Sequence, residues 1–181
     1  MTDHSGLEAD LARELDAAFP DLVLTYQDGL FATALRLTRS RHDAEELAQE
    51  TLVRAYRALS GYDAQRIREL RLRGWLWTIL LNLARNRART RARRPPPAPL
   101  DGHETGAAHG DVASVATASV AVADALLTLR PIEREVLVLR YVADLAVDEV
   151  AEAIGRPVGT VKSHLHRSLG RLRSTLGEES R

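Results

Sequence analysis

Apolar residues recur along this chain at every third or fourth position and hardly anywhere at every second one, which is the periodicity of helices packed on one face rather than of strands. The spacing predicts a helix from about Pro20 to Arg39, with Leu22, Tyr26, Leu30, Ala34 and Leu35 on one side. After a break at Ser40–Asp43, a second helix is expected with Asp43 as N-cap and Glu46 three residues on, running to about Leu59 before Gly61 ends it. Its buried stripe would be Ala44, Leu47, Ala48, Thr51, Leu52, Ala55, Tyr56 and Leu59. A third helix is expected from near Gly74 towards Arg91, burying Leu76, Ile79, Leu80, Leu83 and Ala84. Its opposite stripe carries Thr78, Asn82, Arg85 and Arg89, with Trp75 and Asn86 on a shoulder. Leu7, Leu11 and Leu15 stand at four-residue steps and predict a short additional helix over 7 to 15.

The period then stops. From Arg93 to Ser119 the chain is rich in Pro, Ala, Gly and Ser and has one large apolar residue, Leu100, so it reads as a flexible linker. Beyond it, a short helix is expected over about Val122 to Leu129, and a second one opens with Pro131 in its first turn. A third covers Val147 to Ile154, Gly155 supplies a turn that tolerates positive φ, and a last helix follows with Val158, Val161, Leu165, Leu169 and Leu172 on one side. Helix, glycine turn and helix make a helix-turn-helix pattern, in which Val150, Ala151 and Ile154 should face Val158, Val161 and Leu165. The expected architecture is all-α: two small helical domains joined by a flexible linker, with a first domain over residues 19–94, a Pro/Ala/Gly-rich linker over 95–120, a helix-turn-helix domain over 121–177 and an N-terminal extension over 1–18.

Charge adds what periodicity cannot. The formal net charge is zero, yet residues 1–63 hold six Arg against twelve acids, while residues 66–94 hold ten Arg against Glu69 alone. The alternation repeats: residues 101–152 hold three Arg against ten acids, and residues 156–173 hold Arg156, Lys162, Arg167, Arg171 and Arg173 with no acid. Two acidic blocks, each followed by a basic one, suit a protein that touches a polyanion at two separate places. The chain has no cysteine, which excludes disulfides and thiolate metal sites. No segment approaches the roughly 20 apolar residues of a membrane span, and the acid-bearing start is neither a signal nor a transit peptide, so a cytoplasmic protein is expected. His164 and His166 are two residues apart and point to different sides of a helix, so no metal site is expected there.

Projected at about 100° per residue, the outward side of the last helix centres on Ser163, Arg167, Gly170 and Arg171, with Thr160 and His166 on its flanks and Lys162 nearer the core edge. Small, polar and cationic groups in that pattern can read base edges and neutralise phosphates. The third helix of the first domain combines Asn82, Asn86 and a crowd of arginines, which suits single-stranded bases, while Trp75 and Trp77 are expected mainly in the core. Glu46, Gln49 and Glu50 stand away from the core of the second helix, and without a phosphate loop, Ser/His/Asp set or metal set beside them they suggest an acidic protein-docking face rather than a catalytic pair.

With those residues in view, the sequence resembles an extracytoplasmic-function (group 4) sigma factor of bacterial RNA polymerase, in the sigma-70 family. Residues 43–59 (DAEELAQETLVRAYRAL) resemble the family's region 2.1 to 2.2, RGWLWTILLNLARNRARTRARR its regions 2.3 and 2.4, and residues 129–173 its region 4. The resemblance implies a sigma region 2 helical bundle and a sigma region 4 helix-turn-helix, with no enzymatic activity, cofactor or small-molecule substrate. Asp43, Glu46, Gln49 and Glu50 would dock on the coiled coil of the polymerase β′ subunit, and Asn82, Arg85, Asn86, Arg89, Arg91, Arg93 and Arg94 would hold the opened −10 element. Arg156, Thr160, Lys162, Ser163, His166, Arg167 and Arg171 would read the −35 element as duplex while the domain sits on the β flap, and an anti-sigma factor would hold the protein inactive. The alternative is a helix-turn-helix regulator that binds duplex DNA without joining the polymerase. Ala146 stands where the family often has a cap-forming Ser, a change that costs about 1 kcal/mol at an N-cap, and residues 66–74 do not follow the shorter connection expected before Trp75.

Overall fold

The structure is a computed structural model that describes residues 6–93, 122 and 124–178; the expected linker and Arg94 lie outside them. Among the described residues there are eight α-helices and no strand. Five belong to the first domain: α1 (Leu7–Arg13), α2 (Leu15–Thr38), α3 (Arg41–Leu59), α4 (Ala64–Arg68) and α5 (Leu72–Arg93). The second domain has a 3-10 turn at Leu126–Thr128 followed by α6 (Pro131–Tyr141), α7 (Val147–Ile154) and α8 (Val158–Glu178).

The helix starts follow capping chemistry more closely than they follow the first apolar residue. α3 begins at Arg41 because Ser40 is its N-cap: the Ser40 hydroxyl accepts from the Asp43 backbone N–H at 3.2 Å. Asp43, expected as the cap, lies in the first turn instead, where its charge faces the positive helix end. α2 starts five residues before Pro20 and keeps that proline inside, its early turns anchored by buried Ala18 and by Phe19 against the core. Glu14, in extended conformation, separates α2 from α1, whose Leu11 is fully buried, so the described part of residues 1–18 packs into the first domain. Residues 60–71 form a turn and α4, capped by the Asp63 carboxylate accepting from the Arg66 N–H at 2.8 Å and pinned by buried Ile67. The stripe on α3 is buried at Ala44, Leu47, Ala48, Thr51, Ala55 and Leu59, but Tyr56 lies at its edge, half open, with its ring against Phe19 and its hydroxyl donating to Asp16 at 2.6 Å.

Trp77 is the centre of the first core. Its ring stands edge-on to Tyr26 at 5.8 Å and its indole N–H donates to the buried Thr33 hydroxyl at 3.0 Å. A Cβ on Gly29 would lie 3.1 Å from the Trp77 ring, so glycine there lets α2 approach α5 closely. Burial raises the Tyr26 phenol to a pKa of about 12, with the nearby Glu8 charge adding to it. Trp75 is only partly buried and packs beside Tyr62.

In the second domain α7 spans the predicted residues and ends on Gly155 in the left-handed region at φ 71°. Ala146 offers no capping side chain, but the Glu149 carboxylate accepts from the Ala146 N–H at 2.7 Å, which compensates at the same helix end. Val150, Ala151, Ile154 and Val161 are buried as the helix-turn-helix requires, with Leu165 partly buried, whereas Val158 is 41% exposed. The two domains are not separate bodies. α7 packs on the start of α5 and α6 on α2, and one apolar core runs from Leu11 and Trp77 through Leu139 and Leu145 to Val150 and Val161.

Candidate nucleic-acid interface

α8 presents its cations in two ways. Lys162, Ser163, His166 and Arg167 are exposed together on one shallow surface, and among the described residues none of the three basic side chains has a carboxylate partner. Ser163 donates its hydroxyl to the Gly159 carbonyl at 2.9 Å, and Arg167 Nε donates to the Ser163 carbonyl at 3.2 Å, which leaves the guanidinium end of Arg167 towards solvent. Lys162 therefore lies on the open face, further from the core edge than projection suggested. Arg156 is exposed in the turn and Thr160 half-buried in the first turn of α8. Arg171 differs: its Nη1 donates to Glu133 Oε2 at 2.9 Å. Glu133 is sealed from solvent and also holds Arg130 through side chain and backbone N–H, at 2.6 and 3.2 Å. The Arg130 hydrogen bonds hold the Glu133 carboxyl below its ordinary pKa. Arg171 thus ties the C-terminal half of α8 to the start of α6. His164 is half-buried and lowered in pKa by burial, with Arg167 next in effect, while His166 is exposed.

α5 has two polar faces. One carries Arg87 and Arg91, four residues apart and turned towards α3. Arg87 reaches Glu46 at 3.2 Å and Glu50 at 3.0 Å, Arg91 reaches Asp43 at 2.6 Å, and Glu50 also holds Arg54 at 2.7 Å. These hydrogen bonds, from Arg91 and from Arg87 respectively, hold the Asp43 and Glu50 carboxyls below their ordinary pKa against partial burial. All three acids of the four residues expected as a docking face are thereby bound to α5, and Gln49 alone is exposed without such a bond. The other face carries Asn82, Arg85 and Arg89, which line a groove with Pro131, Arg134 and Glu135 of α6. Arg85 is paired with Glu135 through both guanidinium nitrogens, at 3.0 and 2.6 Å. Arg89 donates to the Asn86 side-chain oxygen, and Arg93 is exposed at the helix end. Sequence reasoning missed Arg87, Glu133 and Glu135 as partners in these sites; the four-residue step from Arg87 to Arg91 was the available signal for the first.

Known proteins resemble this chain over both domains. The Sigma-70 region 2 family model matches residues 22–94 and the Sigma-70, region 4 model matches residues 119–172. The ECF RNA polymerase sigma factor SigW of Bacillus subtilis is 31% identical over 173 residues, covering 88% of this chain and 89% of its own length. The RNA polymerase sigma-E factor of Streptomyces coelicolor is 33% identical over 164 residues, covering 87% and 85%. CnrH, solved in complex with the cytosolic domain of CnrY, superposes with a TM-score of 0.72 at 25% identity over 96% of this chain and 97% of its own. RpoE from Bartonella quintana, solved with the anti-sigma factor NepR, shares the fold at a TM-score of 0.67, 24% identity and coverage of 88% and 96%. With both regions matched in order and relatives aligned over nearly their full length, the chain belongs to the ECF RNA polymerase sigma factors of the sigma-70 family.

Proposed function

We propose that the protein binds core RNA polymerase and directs promoter-specific initiation, reading the −35 element as duplex with the domain of residues 121–177 and holding the opened −10 element with the domain of residues 19–94. The observation that carries this is the α8 face: Lys162, Ser163, His166 and Arg167 are exposed together, no carboxylate of the described residues neutralises them, and α7 braces the helix across the Gly155 turn. Thr160 and Arg156 flank this face at the helix start, and Arg171, half-exposed beside its anchor on Glu133, would meet an adjoining phosphate with the part of its guanidinium that Glu133 leaves open. In the first domain Asn82, Arg85, Asn86, Arg89, Arg91, Arg93 and Arg94 serve the single strand, and Asp43, Glu46, Gln49 and Glu50 dock on the β′ coiled coil, with the β flap receiving the second domain. The protein then acts as a regulatory subunit, with no cofactor, metal or catalysis of its own, in the cytoplasm where polymerase works. An anti-sigma factor is its expected inhibitor, since RpoE was solved with the anti-sigma factor NepR.

The test is reconstitution. Added to core polymerase that lacks a sigma subunit, with a genomic library as template, the purified chain should produce transcripts from a defined set of start sites that share spaced −35 and −10 sequences. Start sites no more specific than those of core alone would contradict the proposal.

A further inference from the structure

Glu133 holds more partners than its place in α6 requires. It lies in the first turn with its side chain sealed at 0% exposure, and accepting the Arg130 backbone N–H at 3.2 Å is enough to close that helix end. Three further hydrogen bonds reach it from two guanidinium groups. Arg130 donates through Nε and Nη2 to Oε1, at 3.2 and 2.6 Å, and Arg171 donates through Nη1 to Oε2 at 2.9 Å. In the α3–α5 seam, by contrast, Arg54, Arg87 and Arg91 face as many acids, Asp43, Glu46 and Glu50. Here two cations share one anion, and no other carboxylate of the described residues meets either of them. One positive charge is left over, on side chains that are 55% and 52% exposed and keep most of their N–H groups unused among the described residues.

The two arginines border the face assigned to duplex DNA. Thr128, just before them, lines a shallow surface with Arg167, Gly170, Arg171 and Ser174, so the loop that leads into α6 runs beside the C-terminal half of α8. Arg167 belongs to this surface and to the one that carries Lys162, Ser163 and His166. Lys162 and Arg171 lie on opposite flanks of α8, about 180° apart at roughly 100° per residue, with Ser163 between them. A helix seated by its Ser163 side in a major groove about 12 Å wide therefore turns Lys162 towards one strand and Arg171 towards the other.

We propose that Arg130 and Arg171 together clamp a backbone phosphate of that second strand, and that Glu133, which touches no DNA, is the positioning residue that holds both guanidinium groups in place. The inference rests on the reading of α8 as the helix that enters the groove, and it adds Arg130 to the contacts of that helix. A phosphate on the exposed side completes the charge balance that Glu133 supplies only in part from the buried side. Side chains held beforehand lose less freedom on binding, and the contact adds affinity without selecting sequence.

The test is binding of the full chain to a random-sequence DNA duplex pool, read by fluorescence anisotropy at several salt concentrations and below the melting temperature of every variant. Arg130→Ala should weaken binding about fivefold and lower the salt slope by about 1. Glu133→Gln separates positioning from charge. Removing a negative charge beside a polyanion strengthens binding by charge alone, whereas losing the positioning residue should weaken it about threefold. In a chain that already carries Arg130→Ala and Arg171→Ala, Glu133→Gln should weaken binding no further, because nothing is left to position. Should Glu133→Gln fail to fold, Arg130→Lys keeps the charge, loses the paired Nε and Nη2 bonds, and should weaken binding about twofold. An unchanged affinity and salt slope in Arg130→Ala would overturn the clamp. Equal or tighter binding in Glu133→Gln or Arg130→Lys, or the same weakening by Glu133→Gln with and without the two arginines, would overturn the positioning role. Lys162→Ala with Arg167→Ala tests the underlying reading by itself: if that variant binds the pool as the unsubstituted chain does, the assignment of α8 fails, whatever Arg130 does.

Discussion

The chain carries two arginine-rich helices that look alike as sequence and differ in what their charges face. On and beside α5, Arg71, Arg73, Arg85, Arg87 and Arg91 are all engaged with acceptors of other helices or of the loop between α6 and α7. On α8, Arg171 is engaged and Lys162, His166 and Arg167 are not. A density of positive charge therefore does not mark a nucleic-acid surface by itself; the position of the acids decides. Cations matched by the chain's own carboxylates build the fold, and unmatched ones on a braced helix are available to an outside polyanion.

The largest effect expected from this contrast is on duplex binding. Lys162→Ala with Arg167→Ala should lower affinity for a cognate −35 duplex by about 100-fold and reduce the salt slope by roughly 2, as read by fluorescence anisotropy at several salt concentrations, with the melting temperature almost unchanged. Within α8 the contrast sharpens at Arg171. Glu133→Ala removes a buried carboxylate that joins α6 to α8 and should destabilise the fold by about 2 kcal/mol in urea titration; stability equal to the unsubstituted chain would show that the buried pairs contribute nothing. Arg87→Ala should cost about 1 kcal/mol by the same measurement, because a partly buried guanidinium shared between Glu46 and Glu50 is lost from the α3–α5 seam.

The smallest effect is on acid sensitivity. Asp43, Glu50, Glu133 and Asp148 all have folded-state pKa values below their unfolded ones, so the folded chain binds fewer protons than the unfolded chain. Their stabilising contribution is complete above the ordinary carboxylate value near pH 4 and is lost as pH falls below it through the folded values. Melting temperature should therefore fall below about pH 4, and Arg87→Ala should flatten part of that fall. An unchanged acid profile in Arg87→Ala would place the ion pair outside the stability of the fold.

The elements legible in the sequence were those with both a period and a terminator. α7 was readable to the residue because its apolar spacing ends at a glycine that the αL turn requires. α4 escaped because five residues with one buried side chain, Ile67, show no period. The start of α3 was displaced because two cap-competent residues, Ser40 and Asp43, stand three apart, and the hydroxyl takes the cap while the carboxylate takes the first turn and Arg91. Projection placed Ser163 and Arg167 on the open face correctly, since that depends only on helical geometry. It could not see that Arg171 meets Glu133 or that Arg85 meets Glu135, because those partners lie 38 and 50 residues away and depend on how the helices pack. The resemblance supplied the functional assignment; the packing supplied the distinction between engaged and open cations.

The most direct test of that distinction maps initiation sites genome-wide with core polymerase reconstituted with the unsubstituted chain or with Arg167→Ala. The account predicts that Arg167→Ala binds core polymerase as before in a pull-down assay but initiates from a changed set of −35 sequences, or loses initiation at promoters that depend on that element. Parallel loss of polymerase binding and of initiation, or an unchanged start-site map, would contradict the assignment of the open α8 face to promoter DNA.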